Sequence, residues 1–280
     1  MSNTDDPVLA VAVRAARSAA SVIADAARDL GRLPTFSKDH GDIVSTADVE
    51  AEDAIVATIR AAFPGHAILG EESGHIAGAR EGGGYKWIVD PIDGTVNFIH
   101  GFPYYAVSIA LVHDAEITHA VVYDPVHDDC FTAVRGRGAY RNGAPIRVST
   151  CIDLAHALVG TVFPTRESPK LTSYLPTFNH LIARCAGLRR AGSCALDLAY
   201  LAAGHLDGFW VTSLKPWDVA AGALLVTEAG GRVGDFSGGT DYLRTDEVVA
   251  AATGLFNSLR QAIVSSGAQR PPVQIPLNPG

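Results

Sequence analysis

The stretch Trp87-Ile88-Val89-Asp90-Pro91-Ile92-Asp93-Gly94-Thr95-Val96-Asn97-Phe98 decides the fold. Its first three residues are apolar strand formers, and the run stops at Asp90-Pro91, where a central strand is not expected to continue. A second carboxylate, Asp93, follows three residues later, and Gly94 then permits a tight turn before the hydroxyl of Thr95. The pattern predicts a buried strand that ends in two carboxylates and a turn converging on one point.

Two carboxylates at one point suit a hard divalent cation. Mg²⁺ prefers oxygen ligands in octahedral geometry and keeps several waters, so a few carboxylates and a substrate phosphate make a suitable site. If Gly94 and Thr95 begin a helix, the free N–H groups and the positive end of the helix dipole favour a phosphate there. Taken alone, the Asp90 and Asp93 pair is explained equally well by an Asx-turn at the end of a strand.

Two further acidic motifs flank the central stretch: Gly70-Glu71-Glu72-Ser73 upstream and Pro216-Trp217-Asp218-Val219-Ala220-Ala221-Gly222 downstream. In this order the three motifs resemble the metal-ligand motifs of the inositol monophosphatase family, the Mg²⁺-dependent, lithium-sensitive phosphatases. The resemblance extends from about Pro7 to Gln261, which is nearly the whole chain. It implies a phosphate monoester hydrolase in which metal-activated water attacks the phosphate directly.

The resemblance also implies two to three Mg²⁺ ions per active site, with their ligands. Glu71 and Asp90 would hold the first ion together with the backbone carbonyl of Ile92. Asp90, Asp93 and Asp218 would hold the second ion, and Glu71 would serve a weaker third ion through water. Without the resemblance, Glu71 is read as a solvated acid and Asp218 as an N-cap of its helix.

Catalytic and phosphate-binding roles follow from the same resemblance. Asp48 and Thr95 would form a dyad that orients the attacking water, while Glu71 takes part through its metal ions. The backbone N–H groups of Gly94 and Thr95 would bind the phosphate, close to Asp93 and Asp218. From the sequence pattern alone, Asp48 is a first-turn acid that complements the dipole of its helix.

The substrate alcohol is expected to lie against the backbone of a segment that the resemblance identifies as Gly192, Ser193, Cys194 and Ala195. Seven positions before the aspartate of the Trp-Asp motif, inositol phosphatases typically carry a glutamate, whereas this chain has Val211. Valine cannot accept a hydrogen bond from a ring hydroxyl. We expect Val211 to lie on the pocket wall that faces the leaving alcohol, and Trp210 or its neighbours to make that wall more apolar than in inositol-specific relatives. Inositol 1-phosphate, histidinol phosphate, fructose 1,6-bisphosphate and 3'-phosphoadenosine 5'-phosphate therefore all remain open as substrates. A non-catalytic regulatory or partner-binding protein on the same fold is the alternative of another class.

The resemblance predicts an α+β fold, a layered αβαβα sandwich of the inositol monophosphatase and fructose-1,6-bisphosphatase type. Hydrophobic periodicity predicts a helix from Pro7 to about Leu30 and a second from the capping box at 45–48 to Phe63. Four strands at 105–113, 117–123, 130–134 and 139–141 predict an antiparallel sheet. We expect one domain over 1–269, with layered halves of about 1–150 and 151–269, and a proline-rich tail at 270–280. A loop at 38–44 could carry Lys38 over the site.

The composition limits the classes of partner that we expect the protein to bind. Of the 280 residues 48% are hydrophobic, and the formal net charge is −8. The acidic balance argues against a nucleic-acid or membrane surface. The resemblance implies a small phosphorylated polyol or sugar as the partner. The four scattered cysteines predict free thiols in a reducing compartment. The acidic N-terminus and the lack of an apolar stretch of membrane-spanning length predict a cytoplasmic protein. The resemblance adds the expectation of a homodimer.

Overall fold

Two helices form the outer layer on one side of the larger sheet. In the computed structural model, which describes residues 6–37, 43–78, 83–164 and 168–268, they are α1 (Pro7–Ala26) and α2 (Thr46–Ala62). Helix α1 continues into a 3₁₀ turn at Ala27–Arg32, so the predicted helix to Leu30 ends as a regular α-helix at Ala26. The predicted Lys38 loop and proline-rich tail lie outside the described residues, apart from Ile43 and Val44 of the loop.

Eight strands of the first half form one sheet, in the order β10-β9-β8-β7-β6-β5-β3-β4. Every neighbouring pair is antiparallel except β3 and β5, which are parallel. A separate ribbon pairs β1 (Thr35–Ser37) with β2 (Ile43–Ser45). The eight strands are β3 (Ala67–Gly70), β4 (Gly74–Ile76), β5 (Tyr85–Asp93), β6 (Ala106–His113), β7 (Glu116–Asp124), β8 (Asp129–Val134), β9 (Ala139–Arg141) and β10 (Ala144–Ile146).

The second half supplies a five-stranded mixed sheet and most of the remaining helices. Its strand order is β12-β11-β13-β15-β14, with β11 parallel to both of its neighbours. The strands are β11 (Leu158–Thr161), β12 (Gly187–Arg189), β13 (Gly208–Thr212), β14 (Gly231–Gly234) and β15 (Glu247–Ala252). The helices are α3 (Thr95–Ile99), which follows β5, and then α4 (Leu171–Ile182), α5 (Cys194–Ala202), α6 (Pro216–Glu228), α7 (Tyr242–Thr245) and α8 (Phe256–Ala268).

Three apolar cores lie between the layers in the part of the chain that the structure describes. One lies between α1, α2 and the eight-stranded sheet, and includes Trp87 and Val89. The second joins the other face of that sheet, through Ile88, to α5, α6 and one face of the five-stranded sheet. The third lies between the opposite face of the five-stranded sheet and helices α4 and α8. This succession confirms the αβαβα sandwich, while the division of the chain into one domain with two halves stays a prediction.

Strand β5 does not stop at Asp90, as predicted, but continues through Pro91 to Asp93. Asp90 pairs with Ser108 and Asp93 with Ala106, so two residues, Pro91 and Ile92, face one on β6 and the register shifts. A bulge of this kind leaves an extra residue outside the ladder, where the missing N–H of proline costs nothing. The bulge re-aims the end of the strand, and it is there that both carboxylates emerge.

Some of the remaining sequence predictions are confirmed and others are wrong. The antiparallel strands and the helix after Ser45 are confirmed, and all four cysteines are unpaired. Six strands of the described residues were not predicted, namely β1, β4, β10, β12, β14 and β15. By length and composition alone the helical stretch Pro7–Arg32 could cross a membrane, so the expectation that no apolar stretch reaches that length is wrong. Its apolar face nevertheless lies on the core, as in many core helices, with Ala15, Ala19 and Ile23 fully buried.

Candidate active site

Three carboxylates meet where β5 ends and α6 begins. One oxygen from each of Asp90, Asp93 and Asp218 lies within 4.8 Å of the others. Asp90 is 1% exposed and Asp93 8% exposed, whereas Asp218 is half-buried. The predicted second metal set is therefore assembled from elements that are more than a hundred residues apart in sequence.

Asp90 gives the clearest indication that the cluster suits a cation. Burial raises the pKa of Asp90 well above its usual range, and the negative charges of Glu71, Asp93, Asp218 and Asp48 raise it further. Its Oδ1 is buried and has no hydrogen-bond partner among the described residues. A buried, unpaired carboxylate oxygen is costly unless a charge or a metal compensates it. An all-oxygen donor set of this kind fits Mg²⁺.

Asp93 is held by the beginning of α5. The Ser193 hydroxyl and the Ala195 N–H each donate to Asp93 Oδ2 at 2.6 Å. Burial raises the pKa of Asp93 to about 6, although these two bonds and the Cys194 N–H lower it. The predicted substrate segment 192–195 is thus beside the cluster, with its Ser193 and Ala195 donors engaged by Asp93 and the Cys194 side chain buried.

Thr95 and Asp48 form the predicted pair. The Thr95 hydroxyl lies 2.9 Å from Asp48 Oδ1 and 3.1 Å from the Ile92 carbonyl. Asp48 Oδ2 accepts from both the N–H and the hydroxyl of Ser45, at 2.8 and 2.6 Å. Asp48 is therefore a first-turn capping acid and a partner of Thr95 at once, so the two sequence interpretations of this residue do not exclude each other.

Asp218 is not the N-cap that the sequence pattern alone predicted, and its role as a metal ligand stays a prediction. It is the third residue of α6 rather than its N-cap, and its Oδ2 accepts from the Lys215 N–H at 2.8 Å. A carboxylate in the first turn complements the helix dipole and fixes the side chain. The cap leaves Asp218 aimed into the cluster, where it contributes to the raised pKa of Asp90.

The turn after β5 requires glycine. Gly94 has φ of +102°, and a Cβ there would lie 3.1 Å from the Tyr104 carbonyl and 3.2 Å from the Gly192 carbonyl. Asn97, in the first turn of α3, donates through Nδ2 to the carbonyls of Tyr104 and Ala191 at 2.7 and 2.9 Å. No role was predicted for Asn97, although its place in the central motif was a signal.

A buried pair behind Asp93 was missed entirely. The Tyr104 hydroxyl donates to Asp197 Oδ1 at 2.6 Å, and Asp197 Oδ2 has no hydrogen-bond partner among the described residues. Burial raises the pKa of Asp197 to about 8, the charge of Asp93 adds to the rise, and the Tyr104 bond opposes it. Asp197 lies two residues after the predicted 192–195 segment, which was the available signal.

Val211 is only 1% exposed and belongs to the core that contains Cys194 and Val219. Because side chains alternate along β13, Trp210 lies on the opposite face of the strand, stacked on Tyr174 at 4.6 Å between ring centroids. The expectation that Trp210 contributes to the substrate wall is therefore wrong. The role of Val211 toward the substrate stays a prediction.

Comparisons with known proteins show to which family the chain is similar in sequence and in fold. The profile of the inositol monophosphatase family matches residues 4–267. The Nus factor SuhB of Pseudomonas aeruginosa is 49% identical over 92% of this chain and 96% of its own length. The extragenic suppressor protein suhB of Bartonella henselae superposes with a TM-score of 0.88 at 41% identity, covering 91% of this chain and 98% of that one. The inositol monophosphatase of Anabaena superposes with a TM-score of 0.82 at 36% identity, with coverages of 95% and 96%.

Proposed function

Because the chain belongs to the inositol monophosphatase family, we propose that it is a Mg²⁺-dependent hydrolase of small phosphate monoesters. The single observation that carries the proposal is the cluster of Asp90, Asp93 and Asp218, with its buried and unpaired Asp90 oxygen. Such an oxygen destabilises the folded protein unless a cation binds it, which supports a metal site at this position.

The residues that would hold the metal are those of the cluster with Glu71 and the Ile92 carbonyl. Glu71 lies near enough to Asp90 for its charge to raise the pKa of that carboxyl. Bound Mg²⁺ ions would lower the pKa of water and neutralise charge on the attacking and leaving oxygens. In their absence the four carboxylates repel one another, which is why metal binding and protein stability should be linked.

The Thr95 and Asp48 pair would position the water. The Thr95 hydroxyl proton points to acceptors in Asp48 and Ile92, so the Thr95 oxygen is left to accept a hydrogen bond from a water molecule. Ser45 fixes the other Asp48 oxygen and prevents the carboxylate from turning away. A nucleophile held in one orientation reacts faster because its freedom is already lost before the reaction.

The phosphate and the alcohol would lie on either side of Asp93. The N–H groups at the start of α3, from Gly94 and Thr95, suit the phosphate, since the first N–H groups of a helix have no intrahelical acceptor. We place the alcohol near Gly192–Ala195 and near Val211, which cannot replace a hydrogen-bonding glutamate. This supports a small polyol or sugar phosphate as substrate, without preference for the inositol ring. A cytoplasmic homodimer is part of the same proposal.

A second function is favoured by the names of several relatives. Proteins 43–49% identical to this chain are called Nus factors, a name associated with the transcription machinery. We therefore propose, as a second candidate, that the chain also binds a component of that machinery. The expectation of no nucleic-acid partner, drawn from the charge of −8, conflicts with this name and is not proposed again. Both functions can reside on one fold, since neither requires the loss of the acidic cluster.

A panel of phosphate monoesters tests the first proposal. The purified protein, freed of metal and then supplied with Mg²⁺, should release phosphate from inositol 1-phosphate, glycerol 2-phosphate and related small esters. A protein with no activity on any of them, yet with measurable binding to a transcription complex, would favour the second candidate alone.

A further inference from the structure

A buried carboxylate outside the metal cluster holds the loop that carries Glu71. Glu52 is 2% exposed, and it lies one helical turn after Asp48 on the same face of α2. Its Oε2 accepts from the Glu72 N–H at 2.9 Å and its Oε1 from the Ser73 N–H at 2.8 Å. Both carboxylate oxygens are therefore used on the two peptide groups that follow Glu71.

The backbone at Gly70 lies very close to the Glu52 carboxylate. A Cβ at Gly70, the residue before Glu71, would lie 2.5 Å from the Cδ and from Oε1 of Glu52. A side chain at residue 70 would therefore displace the Glu52 carboxylate from its place against the main chain.

Glu71 is thus held from both sides. Its own N–H donates to the Val89 carbonyl at 3.2 Å, next to Asp90 on β5. The two N–H groups after it are bound by Glu52. A residue whose preceding and following peptides are both fixed has a fixed Cα–Cβ direction, which limits the positions that its carboxylate can reach.

We propose that Glu52 is a positioning residue for the metal site, which sets the affinity for divalent cations through Glu71 without touching the metal. The inference rests on the proposed function, in which Glu71 is a metal ligand. Among the described residues, Glu52 has no ion pair with a cationic side chain, so burying its charge is compensated by peptide N–H groups alone. Groups that orient a metal ligand typically contribute about 10- to 100-fold to metal affinity.

Glu52→Gln tests this, because the amide keeps the size of the side chain but can accept at only one oxygen. The matched control is Glu50→Gln, an exposed acid on the same helix that changes the net charge equally. The measurement is Mn²⁺ binding by electron paramagnetic resonance, with circular dichroism to confirm the fold. We expect Glu52→Gln to weaken Mn²⁺ binding about 10- to 100-fold and Glu50→Gln to leave it within about twofold.

A double-mutant cycle separates positioning from general weakening of the fold. In a Glu71→Gln background, where the ligand is already lost, Glu52→Gln should weaken Mn²⁺ binding much less than in the unmodified protein. Gly70→Ala provides a second approach if Glu52→Gln does not fold, since the added Cβ displaces the carboxylate from the other side; it should weaken Mn²⁺ binding similarly. Full additivity in the cycle, or unchanged Mn²⁺ affinity in folded Glu52→Gln or Gly70→Ala, would overturn the inference and leave the proposed function standing. An unmodified protein that binds no Mn²⁺ would overturn both.

Discussion

The Thr95 hydroxyl lies 2.9 Å from Asp48 Oδ1, although 47 residues separate the two in the chain. The contact joins the first turn of α3 to the first turn of α2, across the end of the bulged strand β5. It is a single hydrogen bond between two short side chains, and its geometry depends on the bulge, on Gly94 and on the Ser45 cap. The site is therefore built by backbone shape as much as by its acids.

Replacing Thr95 by valine removes the hydroxyl and keeps the shape. We expect Thr95→Val to lower kcat about 10²- to 10⁴-fold, the range associated with a group that orients or moves a proton. KM should change little, because the metal ligands and phosphate donors remain. Thr95→Ser, which retains the hydroxyl, is the control and should keep most of the activity. Equal kcat values in the valine and serine variants would show that the hydroxyl has no catalytic role.

Asp93→Asn and Asp218→Asn each remove a negative charge from the cluster while keeping an acceptor for the backbone bonds that hold the side chain. We expect each to reduce turnover by orders of magnitude at a fixed Mg²⁺ concentration, with the fold intact. Asp53→Asn, an exposed acid on α2, is the control for net charge. If both cluster variants turn over normally at saturating Mg²⁺, these residues are only caps and turns.

The buried Asp197 predicts a pH dependence of stability. Its pKa is raised to about 8 in the folded protein, chiefly by burial. Since the folded state then holds a proton that the unfolded state releases near its ordinary pKa, this contribution to stability is complete below about pH 4 and is lost as pH rises toward about 8. Its slope approaches about 1.4 kcal/mol per pH unit within that range.

Asp197→Asn resembles the protonated acid and should remove this contribution to the pH dependence. The measurement is the free energy of unfolding by urea at several pH values from 4 to 8, in EDTA, for both proteins. We expect a flatter profile in the variant, with a gain in relative stability at the alkaline end. The same slope in both proteins would mean that Asp197 is ionised throughout.

Val211 leads to a prediction about substrate preference. Losing one hydrogen bond between a substrate hydroxyl and a charged partner costs about 1.5–3 kcal/mol, roughly ten- to a hundredfold in discrimination. We therefore expect kcat/KM for inositol 1-phosphate to be no more than modestly above that for glycerol 2-phosphate, and Val211→Glu to raise the ratio. Val211→Leu adds bulk without an acceptor and is the control. A preference above about a thousandfold in the unmodified protein would show that other residues recognise the ring.

The sequence predicted the parts of the fold that local patterns encode. The capping box at Ser45, the apolar periodicity of α2 and the alternating strands from 105 to 141 each depend on neighbours in the chain. The continuation of β5 through Pro91 could not be predicted, because a bulge depends on what the partner strand β6 offers. The parallel pairing of β3 with β5 likewise follows from packing between distant segments.

The residues of the site likewise divide into those that the sequence predicted and those that it did not. Asp90, Asp93, Asp218 and Glu71 were found through motifs that resemble a family, and the structure brings the three aspartates together. Three supporting residues were given no role, since Asn97, Asp197 and Glu52 act through contacts 94, 93 and 20–21 residues away in the chain. Asn97 and Asp197 lie in or next to the motifs, but the local sequence could not show which distant groups they contact. Val211 shows the converse, because the motif gave its position but could not show that its side chain is fully buried.

Mg²⁺-dependent phosphate release is the measurement that tests the central claim most directly. Protein treated with EDTA and then titrated with Mg²⁺ should gain activity on small phosphate monoesters from a negligible baseline, and millimolar lithium should inhibit it, as expected for this family. The Asp90→Asn variant, which neutralises the buried carboxylate whose Oδ1 has no hydrogen-bond partner among the described residues, should stay inactive across the titration. Hydrolysis at the same rate in EDTA and in Mg²⁺, or full activity in Asp90→Asn, would contradict the account.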